Sequence, residues 1–245
     1  MTIPAFRSNV ESNDCNLCVS ENINMAEYTQ DIAFVIFDCD GVLIDSEVLS
    51  MKVWASLLQE HDVHIDQQYF FEHFLGRSFE HVQSVIFKDF NLVVDSAMAN
   101  RFAGELKTIF EQQLSPTDGI IEVLSTLTVP YCLATSSSRE RTRIAMSTTG
   151  LNRYFSEAQI FTAADVARGK PAPDLFLHAA QQNGIPPSHC LVIEDSSPGL
   201  EAAKAAKMHC LHYVGGAHMA QTAGKRENAL AHWRAFDARY PYLID

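Results

Sequence analysis

Four short apolar runs recur along the chain, and the first three end in polar residues. They are Phe34-Val-Ile-Phe37 before Asp38, Tyr131-Cys-Leu-Ala134 before Thr135 and three serines, Cys190-Leu-Val-Ile193 before Glu194 and Asp195, and 208–214 around Cys210, Leu211 and Tyr213. Continuous runs of this length, rich in aromatic and β-branched residues, predict strands buried on both faces of a parallel sheet. Helical patterns lie between them: over 139–150, from near Asp174 after a Pro-framed loop, over 200–208, and over 229–240 as a closing helix, with 215–226 a loop. Ser138 is placed to cap the first of these, and Ser197 with Pro198 reads as cap and first residue of the helix after Asp195. Alternating strands and helices predict an α/β fold with a doubly wound parallel sheet.

From about 46 to 115 the pattern changes. Val48, Met51 and Leu58, then Val82, Val85 and Ile86, then Phe102, Leu106, Ile109 and Phe110 recur at three- and four-residue steps, which predicts a small helical insertion. The chain therefore divides into a polar, flexible extension over 1–30, an α/β core over 31–45 and 116–245, and the insertion over 46–115.

Candidate chemistry collects at the strand tips. In open α/β sheets the carboxyl edge is the ligand crevice, so Asp38 faces it, and Asp40, two residues on, can enter the same pocket. Gly41 permits the tight loop that follows. Such a carboxylate pair serves as nucleophile with acid or base, as a site for a hard metal ion, or as a capped turn satisfying backbone N–H groups. The hydroxyls at Thr135 and Ser136 can hold phosphate oxygens, or merely cap the next helix. Lys170, in Arg168-Gly-Lys-Pro-Ala-Pro-Asp174, stands on a backbone stiffened by its neighbours.

The segments that carry Asp38 and Asp40, Thr135, Lys170, and Glu194 with Asp195, in this order and spacing, resemble the haloacid dehalogenase superfamily, in its β-phosphoglucomutase-like and phosphoglycolate phosphatase-like branch with a helical cap. The likeness runs from about Ile32 to Tyr213. It implies a Rossmann-like core, with the insertion over 46–115 as a cap that closes over the site. It implies that Asp38 is the nucleophile forming an aspartyl-phosphate, and that Asp40 protonates the leaving oxygen and later activates water. By the same resemblance Thr135 and Ser136 bind the phosphoryl group, Lys170 neutralises its charge, and Mg²⁺ is held by Asp38, the carbonyl of Asp40, Asp195 and Glu194. A halide leaves without a proton whereas an alkoxide needs one, so the second acid argues for ester hydrolysis over dehalogenation.

The mutase of this branch has a hinge histidine twelve residues after the nucleophile and a cap lysine and arginine for a second phosphate. Here Ser50, Leu75 and Phe79 fall at those positions, and Arg77 is the nearest cation left to contact substrate. A phosphatase acting on a sugar or sugar-acid phosphate is therefore the expectation. An intramolecular phosphomutase and a catalytically inactive binding module on the same fold are the alternatives.

Composition narrows the setting. The chain has 245 residues, 47% of them hydrophobic, and a formal net charge of −12, which argues against nucleic acid and anionic membrane partners. No apolar run approaches the ~18 residues of a membrane span, and residues 1–10 lack a signal-peptide core, so a cytoplasmic protein is expected, with a monomer as the default. Cys39, Cys132 and Cys190 fall in strand and motif regions as buried thiols, so disulfides are not required. Cys15 and Cys18 form a lone C-x-x-C without a partner pair, and the ten histidines show no clustered ligand spacing.

Overall fold

The computed structural model describes residues 31–219 and 229–245; the extension over 1–30, with Cys15 and Cys18, lies outside the described residues. A five-stranded sheet forms its centre, built from β1 (Phe34–Phe37), β2 (Tyr131–Thr135), β3 (Ile160–Thr162), β4 (Cys190–Glu194) and β5 (His209–His212). The strands are all parallel and ordered β3-β2-β1-β4-β5. This is the expected α/β doubly wound arrangement, and the strand order reverses at β1.

Why the strands read as unbroken apolar runs is visible in the packing. Phe34 and Ile36 point to one face, where they meet Phe176 and Ala179 of α7 (Asp174–Gln182) and Ala202 and Ala203 of α8 (Ser197–Ala205). Val35 and Phe37 point to the other, toward Val123 and Leu124 of α5 (Ile120–Thr126) and Ala145 and Met146 of α6 (Arg139–Thr149). With helices on both faces no position is left for a polar residue.

The insertion supplies α1 (Glu47–Gln59), α2 (Gln67–His73), α3 (Phe79–Phe90) and α4 (Ser96–Gln113). Asp66, Ser78 and Asp95 cap α2, α3 and α4 by accepting backbone N–H bonds at 2.8, 3.3 and 2.8 Å. Trp54 stacks on Phe102 at 4.3 Å and on Phe79 at 5.7 Å, tying α1, α3 and α4 together. The phase of α1 differs from the expected stripe. Leu49, Val53, Trp54, Leu57 and Leu58 are buried, while Val48 and Met51 are only half-buried. Glu47 and Ser50 also turn inward on this helix, so it has a polar buried side that apolar spacing does not register.

Other departures have local causes. The expected helix over 229–240 is replaced by a bridge from Leu230 to Tyr213, a single turn at Trp233–Ala235 and the short α9 (Phe236–Arg239). Leu230 N–H donates to His212 O at 2.8 Å and Val214 N–H to Leu230 O at 2.9 Å, which commits that backbone to the sheet edge. The helix after β4 starts one residue earlier than expected. Ser196, extended at φ −95°, ψ 146°, is its cap and accepts from Gly199 N–H at 3.3 Å, so Pro198 stands at the second helical position. β3 and α5 carry no sequence signal strong enough to have been expected. Among the described residues no helix is long and apolar enough to cross a membrane.

Phe37 is fully buried and makes ring contacts with Tyr131, Phe155 and Trp233 at 6.0, 6.4 and 6.0 Å. Phe37→Ala is expected to cost about 3–5 kcal/mol in urea unfolding; an unchanged unfolding midpoint would contradict this packing.

Candidate active site

Three adjacent strands end side by side, so β2, β1 and β4 deliver Thr135, Asp38 and Glu194 to one edge. Lys170 reaches them from the loop before α7. Its side chain is 1% exposed. The ammonium donates to Asp38 Oδ1, to Glu194 Oε1 at 2.7 Å and to Ala134 O at 3.1 Å, three acceptors for its three N–H bonds. The Phe176 ring lies 4.9 Å beneath it. Glu194 Oε2 accepts from Ser196 N–H at 2.7 Å and from its hydroxyl at 2.9 Å. Gly199 is needed for this closeness, because a Cβ there would stand 1.7 Å from Glu194 Oε1.

Asp195 completes an acidic cluster: Asp38, Glu194 and Asp195 each offer an oxygen within 4.8 Å of the others, and all three are buried. Asp195 Oδ2 approaches His218 Nε2 at 2.8 Å, but the pair is not aligned for a hydrogen bond, and both atoms are sealed from solvent without one. Three buried carboxylates against one ammonium, with an orphaned oxygen among them, fit a hard divalent cation held by oxygen donors. Burial first, then the neighbouring acids, push the Asp38 and Asp195 carboxyls up, with Lys170 working the other way. Burial opposes the charge on Lys170, but Asp38 and Glu194 outweigh it and hold the ammonium above its ordinary range.

Asp40 lines the same cavity as Asp38 but is held differently. Its Oδ1 accepts from the Ser46 hydroxyl at 2.5 Å and Arg141 Nη2 at 2.7 Å, and its Oδ2 from the Ser137 hydroxyl at 2.6 Å. Thr135 Oγ1 reaches it at 3.4 Å. Burial alone would raise this carboxyl; Arg141 and the Ser137 and Ser46 hydroxyls reverse that and hold it below the ordinary carboxylate range. Its side chain therefore stands apart from the acidic cluster.

The remaining expected residues lie at the cavity wall. Ser136 donates to Gly76 O at 3.1 Å, and Gly76, at φ +69°, packs so closely on Ser196 that a Cβ would stand 2.3 Å from its hydroxyl. The loop between α2 and α3 is thereby seated on two strand-end loops. Arg77 in that loop lines the cavity and is half-buried. Leu75 is buried, and Phe79 packs on Trp54.

Three groups, the half-buried Arg141 and the buried Glu47 and His218, were not legible as site residues. Arg141 also donates to Ser50 Oγ at 3.0 Å, filling the space beside the hinge. Its signal lay in helix geometry: Arg139 and Arg143 share a face and pair with Asp165 and Glu157, whereas Arg141 is roughly 200° around from Arg139. Glu47, in the first turn of α1, has a carboxyl pushed up to about 8 by burial and then by Asp40. His218 sits in a turn within the segment read as loop, and burial lowers its pKa.

A sequence profile of the haloacid dehalogenase-like hydrolases matches residues 35–213. The chain belongs to that family. It is 26% identical over 188 residues to the 6-phosphogluconate phosphatase of Escherichia coli (strain K12), covering 76% of this chain and 85% of that one. It is 31% identical over 189 residues to a probable pseudouridine-5'-phosphatase of Drosophila melanogaster, covering 72% and 79%. Among solved structures, a conserved haloacid dehalogenase-like protein of unknown function from Agrobacterium tumefaciens str. C58 superposes with a TM-score of 0.71 at 30% identity, covering 86% of this chain and 98% of that one.

Two predictions follow from the buried carboxylates. Gly199→Ala is expected to displace the Glu194 carboxylate and weaken divalent-cation binding measured by calorimetry; wild-type affinity in the variant would contradict the packing described. Glu47 carries a folded-state pKa of about 8 against an ordinary 4.5, so its stabilising contribution is present below pH 4.5 and is lost as pH rises toward 8. Glu47→Gln should therefore lose less stability than wild type between pH 5 and 8 in urea unfolding, and parallel losses would contradict the assignment.

Proposed function

We propose that the protein is a Mg²⁺-dependent phosphatase that hydrolyses a small soluble phosphomonoester of the sugar or sugar-acid type through an aspartyl-phosphate on Asp38. The observation that carries this reading is the pairing of two carboxylates in one cavity, one held by a buried lysine and the other by an arginine and two hydroxyls. Family membership and relatives named as phosphatases support hydrolysis of a phosphate ester.

In the first half-reaction an Asp38 oxygen attacks phosphorus, the bond from phosphorus to the ester oxygen breaks, and Asp40 gives its proton to the departing alkoxide. In the second, Asp40 takes a proton from water as that water attacks phosphorus, releasing inorganic phosphate and restoring Asp38. Lys170 holds Asp38 in place and balances charge on the phosphoryl oxygens, with Thr135 and Ser136 at the same edge to bind them. Asp38, Asp195, Glu194 and the carbonyl of Asp40 would hold Mg²⁺, which when bound neutralises charge developing on the phosphoryl group. Asp40 must be protonated to act as an acid, although Arg141 holds it as an anion in the free protein. A phosphate dianion entering beside it raises its proton affinity.

The insertion over 46–115 acts as the cap, and the seating of Gly76 on Ser136 and Ser196 supports a closed arrangement that keeps bulk water from the aspartyl-phosphate. Leu75 and Phe79 are apolar where a mutase would grip a second phosphate, which favours water as the acceptor. All these residues come from one chain, so a monomer suffices. The four free thiols among the described residues are in keeping with a cytoplasmic setting.

Wild-type protein with Mg²⁺ is expected to release inorganic phosphate from p-nitrophenyl phosphate, with activity lost in EDTA and lowered by orders of magnitude in Asp38→Asn. Equal rates for the two proteins would remove the nucleophile assignment. A panel of metabolite phosphates, read by released phosphate, tests the sugar class.

A further inference from the structure

The cavity above Asp38 and Asp40 has a volume of about 450 Å³, within the range of small-molecule sites and more than a phosphoryl group and a short alcohol fill. Its lining is of mixed character. At the catalytic end are Asp38, Asp40 and Thr135, all shielded from solvent, and at the rim are the exposed Glu80, Asn100, Lys107 and Glu140. A wall of Trp54, Phe74, Phe79, Phe102, Phe110 and Ile144 also lines it. This wall begins beside the acid itself, because the Arg141 guanidinium that binds Asp40 lies 5.6 Å over the Phe110 ring.

A fully hydroxylated leaving group laid against that wall would bury hydroxyls with no partners, at a cost for each. A flat ring would instead meet apolar and aromatic side chains that ask for no hydrogen-bond partner. The entrance is kept wide on one side. Gly104 stands inside the long helix α4, where glycine is destabilising by roughly 0.5–1 kcal/mol relative to alanine, yet a Cβ there would meet nothing within 4 Å. Packing does not demand this glycine. It and Ala103 leave low the part of the cavity wall that larger side chains would fill.

We propose that the substrate is a phosphomonoester whose leaving group carries an aromatic or heteroaromatic ring beyond the phosphorylated alcohol, with the ring held against the wall of Trp54, Phe79 and Phe102. The proposal rests on the phosphatase reading and narrows its sugar-type leaving group to one that also bears such a ring in place of a fully hydroxylated body.

The test compares 2-phenylethyl phosphate with ethyl phosphate, two primary alkyl esters that differ in the ring but hardly in leaving-group chemistry. With Mg²⁺ present, kcat/KM for the ring-bearing ester is expected to be at least about tenfold higher, since even one apolar group in a fitted pocket gives that much discrimination, and the difference should lie mainly in KM. In Gly104→Leu, at a position where an added Cβ meets nothing within 4 Å, the ratio between the two esters should fall toward one. Equal kcat/KM for both esters in the wild type would overturn the ring proposal while leaving the phosphatase reading intact. Binding of 2-phenylethylphosphonate and ethylphosphonate, measured by calorimetry, separates the two readings from the other side. A ring preference in binding, with no phosphate released from either ester, would support the pocket and sink the phosphatase reading; no preference in either measurement would overturn the ring proposal.

Discussion

The buried ammonium of Lys170 is the interaction on which the site depends. It joins the tip of β1 through Asp38, the tip of β2 through Ala134 O and the tip of β4 through Glu194, so one cation fixes the ends of three neighbouring strands. Removing the ammonium would leave the buried Asp38 and Glu194 carboxylates facing each other with no cation between them, a costly arrangement. The parallel sheet makes this convergence available, because only a parallel sheet brings all its carboxyl ends to one edge. The glycine at 199 makes it fit.

Two carboxylates two residues apart consequently live in different electrostatic settings. Asp38 belongs to a crowded buried cluster; burial first, then the neighbouring acids, raise its pKa against the lysine's opposing effect, and the three carboxylates around one ammonium leave room for a further cation. Asp40 belongs to a cradle of one arginine and two hydroxyls, which lowers its pKa. Division of roles between paired acids follows from such differences in environment. Arg141 connects this cradle to Ser50 on α1 and to Phe110 on α4, so the state of the acid and the placement of the helical layer are mechanically joined.

Much of this was readable before any coordinates. Asp38, Thr135, Glu194 and Asp195 announce themselves because each stands at the end of an apolar run, at the carboxyl edge where an open α/β sheet forms its ligand crevice. Lys170 was marked by the glycine and prolines around it. Glu47 and His218 were not, since each is a lone charged or polar residue on a helix or in a turn and nothing local separates an inward group from a solvated one; Arg141 is set apart from Arg139 and Arg143 only by its position around the helix, which does not say what that face meets. The failed closing helix has the same origin: its residues suit a helix, but Leu230 is claimed by hydrogen bonds to β5 and its successor that only the tertiary fold supplies. The phase of α1 was misjudged because a helix serving both a core and an active site buries polar residues as well as apolar ones.

The account stands on Asp38 as the atom that takes the phosphoryl group. The most direct measurement is to quench the protein during turnover with Mg²⁺ and a phosphomonoester, reduce any acyl-phosphate with borohydride, and locate the product by peptide mass spectrometry. Conversion of Asp38 to homoserine is the predicted result; modification of another carboxylate, or none at all while phosphate is being released, would contradict it.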